Sequence, residues 1–292
     1  MARKVARGEE VLPPKLSHPA DGAGGWTGGW CAHSGCAEML QCVTLWIGEG
    51  FGAVERACLR SVLRQGHRLT LYCYREPIGI PDGVELQDAS QVLPATAVMR
   101  HRRGSVAPFS DWFRYELLKR GLGTWIDTDM YLLRPLDEQA EHLFGEERPG
   151  VINNAVLRLP DSSPVLDELL GPFRGTIPGW LARRHRFSSQ VRRWLGKGVD
   201  VGAMPWGTTG PAALTAAAAK FGLSSRALPP TAFYPVPWER ADWIVDPTRD
   251  LGQMVTESTV GIHLWNECIR PIKERPPPEG SFLQRLWAEG KA

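Results

Sequence analysis

The chain is 292 residues long, 43% hydrophobic, with 34 Lys and Arg against 32 Asp and Glu. That length buries one sizeable core, so a single domain with insertions is expected, and the near-balanced charge implies neither a nucleic-acid partner nor, as a total, an anionic membrane. No apolar run approaches the roughly 18 residues of a membrane span, no hydrophobic signal core opens the chain, and six cysteines at this length do not suggest a disulfide framework, so a cytoplasmic protein is expected.

Residues 1–38 contain Pro13-Pro14, several glycine pairs and no hydrophobic period, the composition of a disordered leader. Cys31, His33, Cys36 and Cys42 are zinc-type ligands, but their spacing fits no two-plus-two knuckle, and no zinc site is expected. Met39 stands directly before the first strand and is a candidate for the true translation start. That strand is Cys42–Ile47, and a helix follows from about Val54 to Gln65, with Val54, Cys58, Val62 and Leu63 on its apolar face. Between them, Gly48-x-Gly50-x-x-Ala53 has the form of a dinucleotide fingerprint. An NAD-dependent oxidoreductase would then need an acidic ribose partner at the end of the second strand, Leu69–Tyr74. That strand runs instead into Arg75, and Glu76 lies too far along. After the Pro81-Asp82-Gly83 turn, Val84–Ala89 reads as an edge strand. Arg100-His101-Arg102-Arg103 follows in a loop, either as a solvated face or as the rim of a phosphate-binding cleft.

The most informative stretch is Ser110 to Asp129. Ser110 is a natural N-cap, Trp112, Tyr115 and Leu118 recur at helical spacing, and Gly121 and Gly123 end the helix. The short strand Thr124–Ile126 then carries Asp127 and Asp129 at its C-terminal end, the ligand-binding end of an open α/β sheet. Strand alternation would put the two carboxylates on one side, where like charges resist joint ionisation unless a cation lies between them. Oxygen ligands of this kind suit Mg2+ or Mn2+, which bridge diphosphate oxygens.

Ser110, Asp111, Arg114, Leu118, Gly123, Asp127 and Asp129 fall in register with the pattern S-D-x-x-R-x-x-x-L-x-x-x-G-G-x-Y-x-D-x-D. Leu122 replaces the first glycine of that pattern and Trp125 the tyrosine. The stretch resembles the DXD-motif glycosyltransferases of the sugar-binding-region family, those of family 32 and the related catalytic domains of bacterial glucosylating toxins. The resemblance implies an α/β, GT-A-like single domain: a Rossmann-like mixed central sheet flanked by helices, spanning residues 39–275, with 276–292 as a C-terminal linker and docking helix. It implies transfer of a hexosyl group, with retention, from a nucleotide sugar such as a UDP-sugar to an acceptor hydroxyl on a glycan, lipid-linked glycan, small molecule or protein. Asp127, Asp129 and His263 are then the metal ligands for Mn2+ or Mg2+. Asp111 and Arg114, at i and i+3, grip the donor sugar and phosphates. Trp46 stacks on the base. The principal alternative is a non-catalytic nucleotide- or glycan-binding module on the same fold.

Beyond the motif, Met130–Leu136 reads as a strand leading away from the site. Val151–Leu157 is another, with a helix from Ser162 or Ser163 and Pro164 in its first turn. Asn153 and Asn154 need partners inside that apolar strand and point opposite ways, so one of them can face the site. The family has a similar N-N-A stretch facing the donor. In the basic region 171–206, Phe187, Val191, Trp194 and Leu195 share one helical face, with Arg186, Arg192, Arg193 and Lys197 elsewhere. Packing onto the core is the ordinary reading of such a face. A cover over the acceptor side, or peripheral contact with anionic lipid at the inner membrane face, are the others. Thr209-Gly210-Pro211-x-x-Leu214-Thr215 opens a helix whose first amides suit a hydroxyl or phosphate oxygen, and matches a T-G-P segment of the family. Val260–Asn266 contains His263 and Trp265, similar to an H-x-W element that completes the metal shell and approaches the diphosphate.

Overall fold

The computed structural model describes residues 39–292, so the leader, Cys31, His33, Cys36 and the start-site reading lie outside what it describes. The chain opens with β1 (Gln41–Trp46), α1 (Ala53–Arg64), β2 (Arg68–Cys73) and β3 (Val84–Asp88). Next come α2 (Ala107–Lys119), β4 (Thr124–Ile126), β5 (Met130–Leu132), β6 (Leu143–Arg148) and β7 (Val151–Arg158). The remainder is α3 (Pro164–Leu170), α4 (Arg183–Trp194), α5 (Pro211–Lys220), α6 (Pro230–Phe233), β8 (Gly261–His263), α7 (Asn266–Ile269) and α8 (Phe282–Lys291).

A six-stranded sheet in the order β3-β2-β1-β4-β7-β6 forms the centre. β1, β2, β3 and β4 are parallel, β7 runs antiparallel to β4, and β6 antiparallel to β7, giving the expected mixed α/β sheet. β1 and β2 bury apolar side chains on both faces (Cys42 against Val43 and Leu45; Leu69 and Leu71 against Tyr72), as strands covered on both sides must. Gly123 lets β4 reach β1. Its φ of +142° and a notional Cβ only 2.7 Å from the Gln41 carbonyl oxygen exclude any side chain there. Among the described residues no helix is long and apolar enough to cross a membrane.

Four local expectations change. Helix α2 begins a turn earlier than Ser110, with Pro108 in its first turn, because proline's fixed φ and missing N–H suit that position. β5 stops at Leu132 and pairs antiparallel with β8 in a separate two-stranded sheet, rather than running on to Leu136. β6 has no counterpart in the sequence reading, because Glu146, Glu147 and Arg148 obscure its period. Helix α4 buries none of its residues, so its apolar face does not pack onto the core. At the C-terminus α8 is capped by Ser281 and lies against α1. The approach is so close that a Cβ on Gly290 would stand 1.9 Å from the Ala53 carbonyl oxygen.

Candidate active site

Asp127 and Asp129 do not sit on a strand. β4 ends at Ile126, and a tight turn closed by the Met130 amide donating to the Asp127 carbonyl (3.1 Å) carries both aspartates. The turn, rather than strand alternation, brings the carboxylates together. Its far side is held by pairing, since Met130 faces His263 across β5 and β8. One ligand atom from each of Asp127, Asp129 and His263 lies within 4.8 Å of the others. Among the described residues this is the one such group of three.

Each member is fixed by further contacts. Asp127 Oδ1 accepts from Arg114 Nη2 and from Trp125 Nε1, both at 2.7 Å. Asp129 Oδ2 accepts from the Asn266 amide at 2.8 Å, and its Oδ1 lies 3.4 Å from His263 Nε2. Trp265 has a positive φ of 56°, uncommon for a bulky residue, and this turn aims the Asn266 amide back at Asp129. The Trp265 indole donates to the Val236 carbonyl and its ring meets His263 edge-on at 4.3 Å. Lys273 bonds the Asn266 side chain (2.6 Å) and pairs with the buried Glu55.

The electrostatics set the two aspartates apart. Burial pushes Asp127 above the ordinary carboxylate range and the Asp129 charge adds to this, against the pull of Arg114 and His263. Asp129 is also penalised by burial, but the His263 charge and hydrogen bond, with the Asn266 amide, outweigh it and hold the carboxyl well below its usual range. His263 moves up: burial alone would lower it, and Asp129 overrides that. In the metal-free site the surroundings thus favour the protonated form of His263 and the ionised form of Asp129, and disfavour the ionised form of Asp127.

Behind this lies a layer built from the other expected residues. Asp111 is buried and accepts from Asn154 Nδ2 (2.9 Å) and Thr209 Oγ1 (2.7 Å). Arg114 donates to the Asn154 carbonyl (2.7 Å), lies 3.6 Å from Asp111 and stacks over Trp125 at 4.6 Å. Its guanidinium therefore aligns Asp127 in this structure. Thr209 and Gly210 buttress Asp111 as well: a Cβ on Gly210 would come within 3.2 Å of both Asp111 oxygens. Of the two asparagines, Asn154 joins this cluster and Asn153 donates to Glu147 at 2.8 Å. Trp46, at the C-terminal end of β1, has one ring face against Phe51 at 4.3 Å. The residue pattern did not mark Trp125, Asn266, Glu147 or Tyr115 as members of the site; the Tyr115 hydroxyl donates to the Thr209 carbonyl (2.7 Å) and accepts from Asn154 Nδ2 (3.0 Å). For Trp125 a signal existed, since it precedes Asp127 by two residues; for Glu147 there was none.

The glycine-rich turn after β1 does not offer a dinucleotide cradle. Gly50 bridges to Ile78, and a Cβ on Gly52 would meet Glu55 and Glu274 carboxylate oxygens at 2.8 Å. Two carboxylates at the start of α1 oppose a pyrophosphate there.

Residues 203–288 match the family model described as the alpha 1,4-glycosyltransferase conserved region. The chain is 25% identical over 201 residues to the lactosylceramide 4-alpha-galactosyltransferase of Mus musculus, covering 63% of this chain and 49% of that one. It is 26% identical over 170 residues to the Rattus norvegicus enzyme of the same name, 54% and 40% covered. The chain thus spans about half the length, or less, of the curated relatives it matches. The matched region contains Thr209, Gly210, His263 and Trp265, whereas Asp127 and Asp129 precede it.

Proposed function

We propose that this chain transfers a hexosyl group, with galactose as the first candidate, from a UDP-sugar to a hydroxyl of a glycan or glycolipid acceptor. The observation that carries the reading is the convergence of Asp127, Asp129 and His263 from two distant segments. The relatives' name supports galactose as donor sugar, a glycolipid acceptor and an α-linked product. An α-linked product from an α-linked nucleotide sugar means retention of configuration.

Two carboxylates and an imidazole fit a divalent cation, and the imidazole favours Mn2+ over Mg2+, which prefers oxygen alone. Such an ion supplies charge stabilisation to a departing diphosphate. The chain's own residues prepare that place. Asp129 is kept ionised by the Asn266 amide and, in the metal-free site, by the charge of His263, which would give up its proton on binding the ion. Arg114 and Trp125 fix one oxygen of Asp127 and so orient the other. Asp111, Asn154 and Thr209 form a rigid support that holds Arg114.

The test is a thermal-shift and turnover assay on a panel of nucleotide sugars. UDP with Mn2+ should stabilise the fold by mass action, by about 2.7 kcal/mol at a hundredfold excess over Kd, and so raise the melting temperature, and NAD should not. UDP-galactose with a lactosyl acceptor should yield an α-linked product. Nucleotide binding without hydrolysis or transfer would support the non-catalytic binding module instead. A shift with NAD alone would overturn both readings.

A further inference from the structure

Helix α4 is built inside out. Phe187, Val191 and Trp194 repeat at i, i+4 and i+7 and form one face of it, and on a surface helix such a face normally turns to the core. Here it turns to solvent: Phe187 is 72% exposed and Trp194 85%. With Gln190 these residues line a shallow groove, and Leu195 extends the apolar stripe at the helix end. The opposite face, His185, Ser189 and Arg192 at the same spacing, is the half-buried one, and Arg192 pairs with Asp200 at 3.1 Å.

The charge around the stripe has one sign. Arg183, Arg184, Arg186, Arg193 and Lys197 are exposed, and none pairs with an acid among the described residues. Asp200 is the one acidic residue between Glu168 and Glu239. A second basic group joins the same surface. The Arg102 amide donates to the Gly202 carbonyl (3.0 Å) and His101 Nε2 bonds the Met204 carbonyl (2.9 Å). These bonds place exposed Arg100, Arg102 and Arg103 beside the segment that follows α4. Exposed Trp206 packs its ring on His101 there.

We infer that α4, with the Arg100–Arg103 turn, is a docking surface for an anionic lipid bilayer. The occupant must accept aromatic and aliphatic side chains within a field of arginines while supplying negative charge, which is the chemistry of an anionic headgroup layer over acyl chains. A second copy of this chain would bring a like-charged rim to the same place. The inference does not depend on the proposed reaction.

The test is sedimentation of the full chain with equimolar phosphatidylcholine/phosphatidylserine vesicles and with phosphatidylcholine alone. The protein should bind the mixed vesicles only, and salt should release it. Arg184→Glu with Arg193→Glu should lower the partition coefficient roughly 30-fold or more, at about one fivefold step per charge removed. Phe187→Ser with Trp194→Ser should abolish binding without changing the melting temperature. Equal binding to both vesicles, no binding by the wild type, or unchanged binding in the double variants would overturn the inference. So would a dimer that dissociates on Trp194→Ser without any vesicle binding. The salt dependence of the wild type decides the matter even if a variant misfolds.

Discussion

His263 Nε2 lies 3.4 Å from Asp129 Oδ1, and the pairing of Met130 with His263 across two short strands puts it there. This contact sets the charge state of the site, and the two aspartates it separates should answer mutation with opposite signs.

Asp129→Asn should abolish the stabilisation by Mn2+ and reduce turnover at least about a hundredfold, the scale of one lost transition-state charge contact. It should also destabilise the metal-free protein. The folded carboxyl is held below its unfolded range, so its contribution is present above about pH 4 and is lost as pH falls. The expected loss at neutral pH is on the order of 2 kcal/mol, measured by denaturant unfolding. An unpaired surface carboxylate would give no such change. Full turnover in this variant would remove Asp129 from the metal site.

Asp127→Asn should do the reverse to stability. Here the folded carboxyl is held above its unfolded range, so the fold favours the protonated acid, and stability declines as pH rises from about 4 toward neutrality. Asparagine keeps an acceptor for Arg114 and Trp125 without the charge. The metal-free variant should be more stable than wild type at neutral pH, by about 1 kcal/mol, and the difference should vanish near pH 4. A variant less stable at every pH would show that the Arg114 ion pair outweighs the burial of charge.

Arg114→Lys tests a positioning role. Lysine is a point donor and cannot serve Asp127 and the Asn154 carbonyl together while stacking on Trp125. We expect kcat to fall about 10- to 100-fold with little change in donor KM, the pattern of lost transition-state stabilisation. The effect should be non-additive with Asp127→Asn, because the two residues act through one hydrogen bond. Additive losses in the double variant would separate them.

Gly290→Ala should displace α8. The added methyl has no space against the Ala53 carbonyl, and a backbone atom cannot swing aside as a side chain can. The loss should be on the order of 3 kcal/mol or more, beyond the usual gain of alanine over glycine in a helix. Hydrogen exchange should show α8 and the start of α1 opening together. Unchanged protection there would mean that α8 docks by another route.

Local residue patterns are enough to define the β1–α1–β2 unit, the edge strand β3 and the strand β4 that ends just before the two aspartates. These follow from apolar periodicity and from glycines that only one backbone conformation suits, which are local properties. The sequence also named Asp127, Asp129 and His263 as one group, from the resemblance. Tertiary structure alone decided how they meet: a turn rather than strand alternation joins the aspartates, and β5–β8 pairing, invisible to local pattern, delivers His263. It also turned Asp111, Thr209 and Gly210 into a buried support and directed Arg114 to Asp127, because hydrogen-bond partners far apart in sequence are fixed only by packing. The apolar stripe of α4 was legible as a pattern. Which way it faces was not, since periodicity gives a helix its faces and the rest of the fold decides which of them is covered.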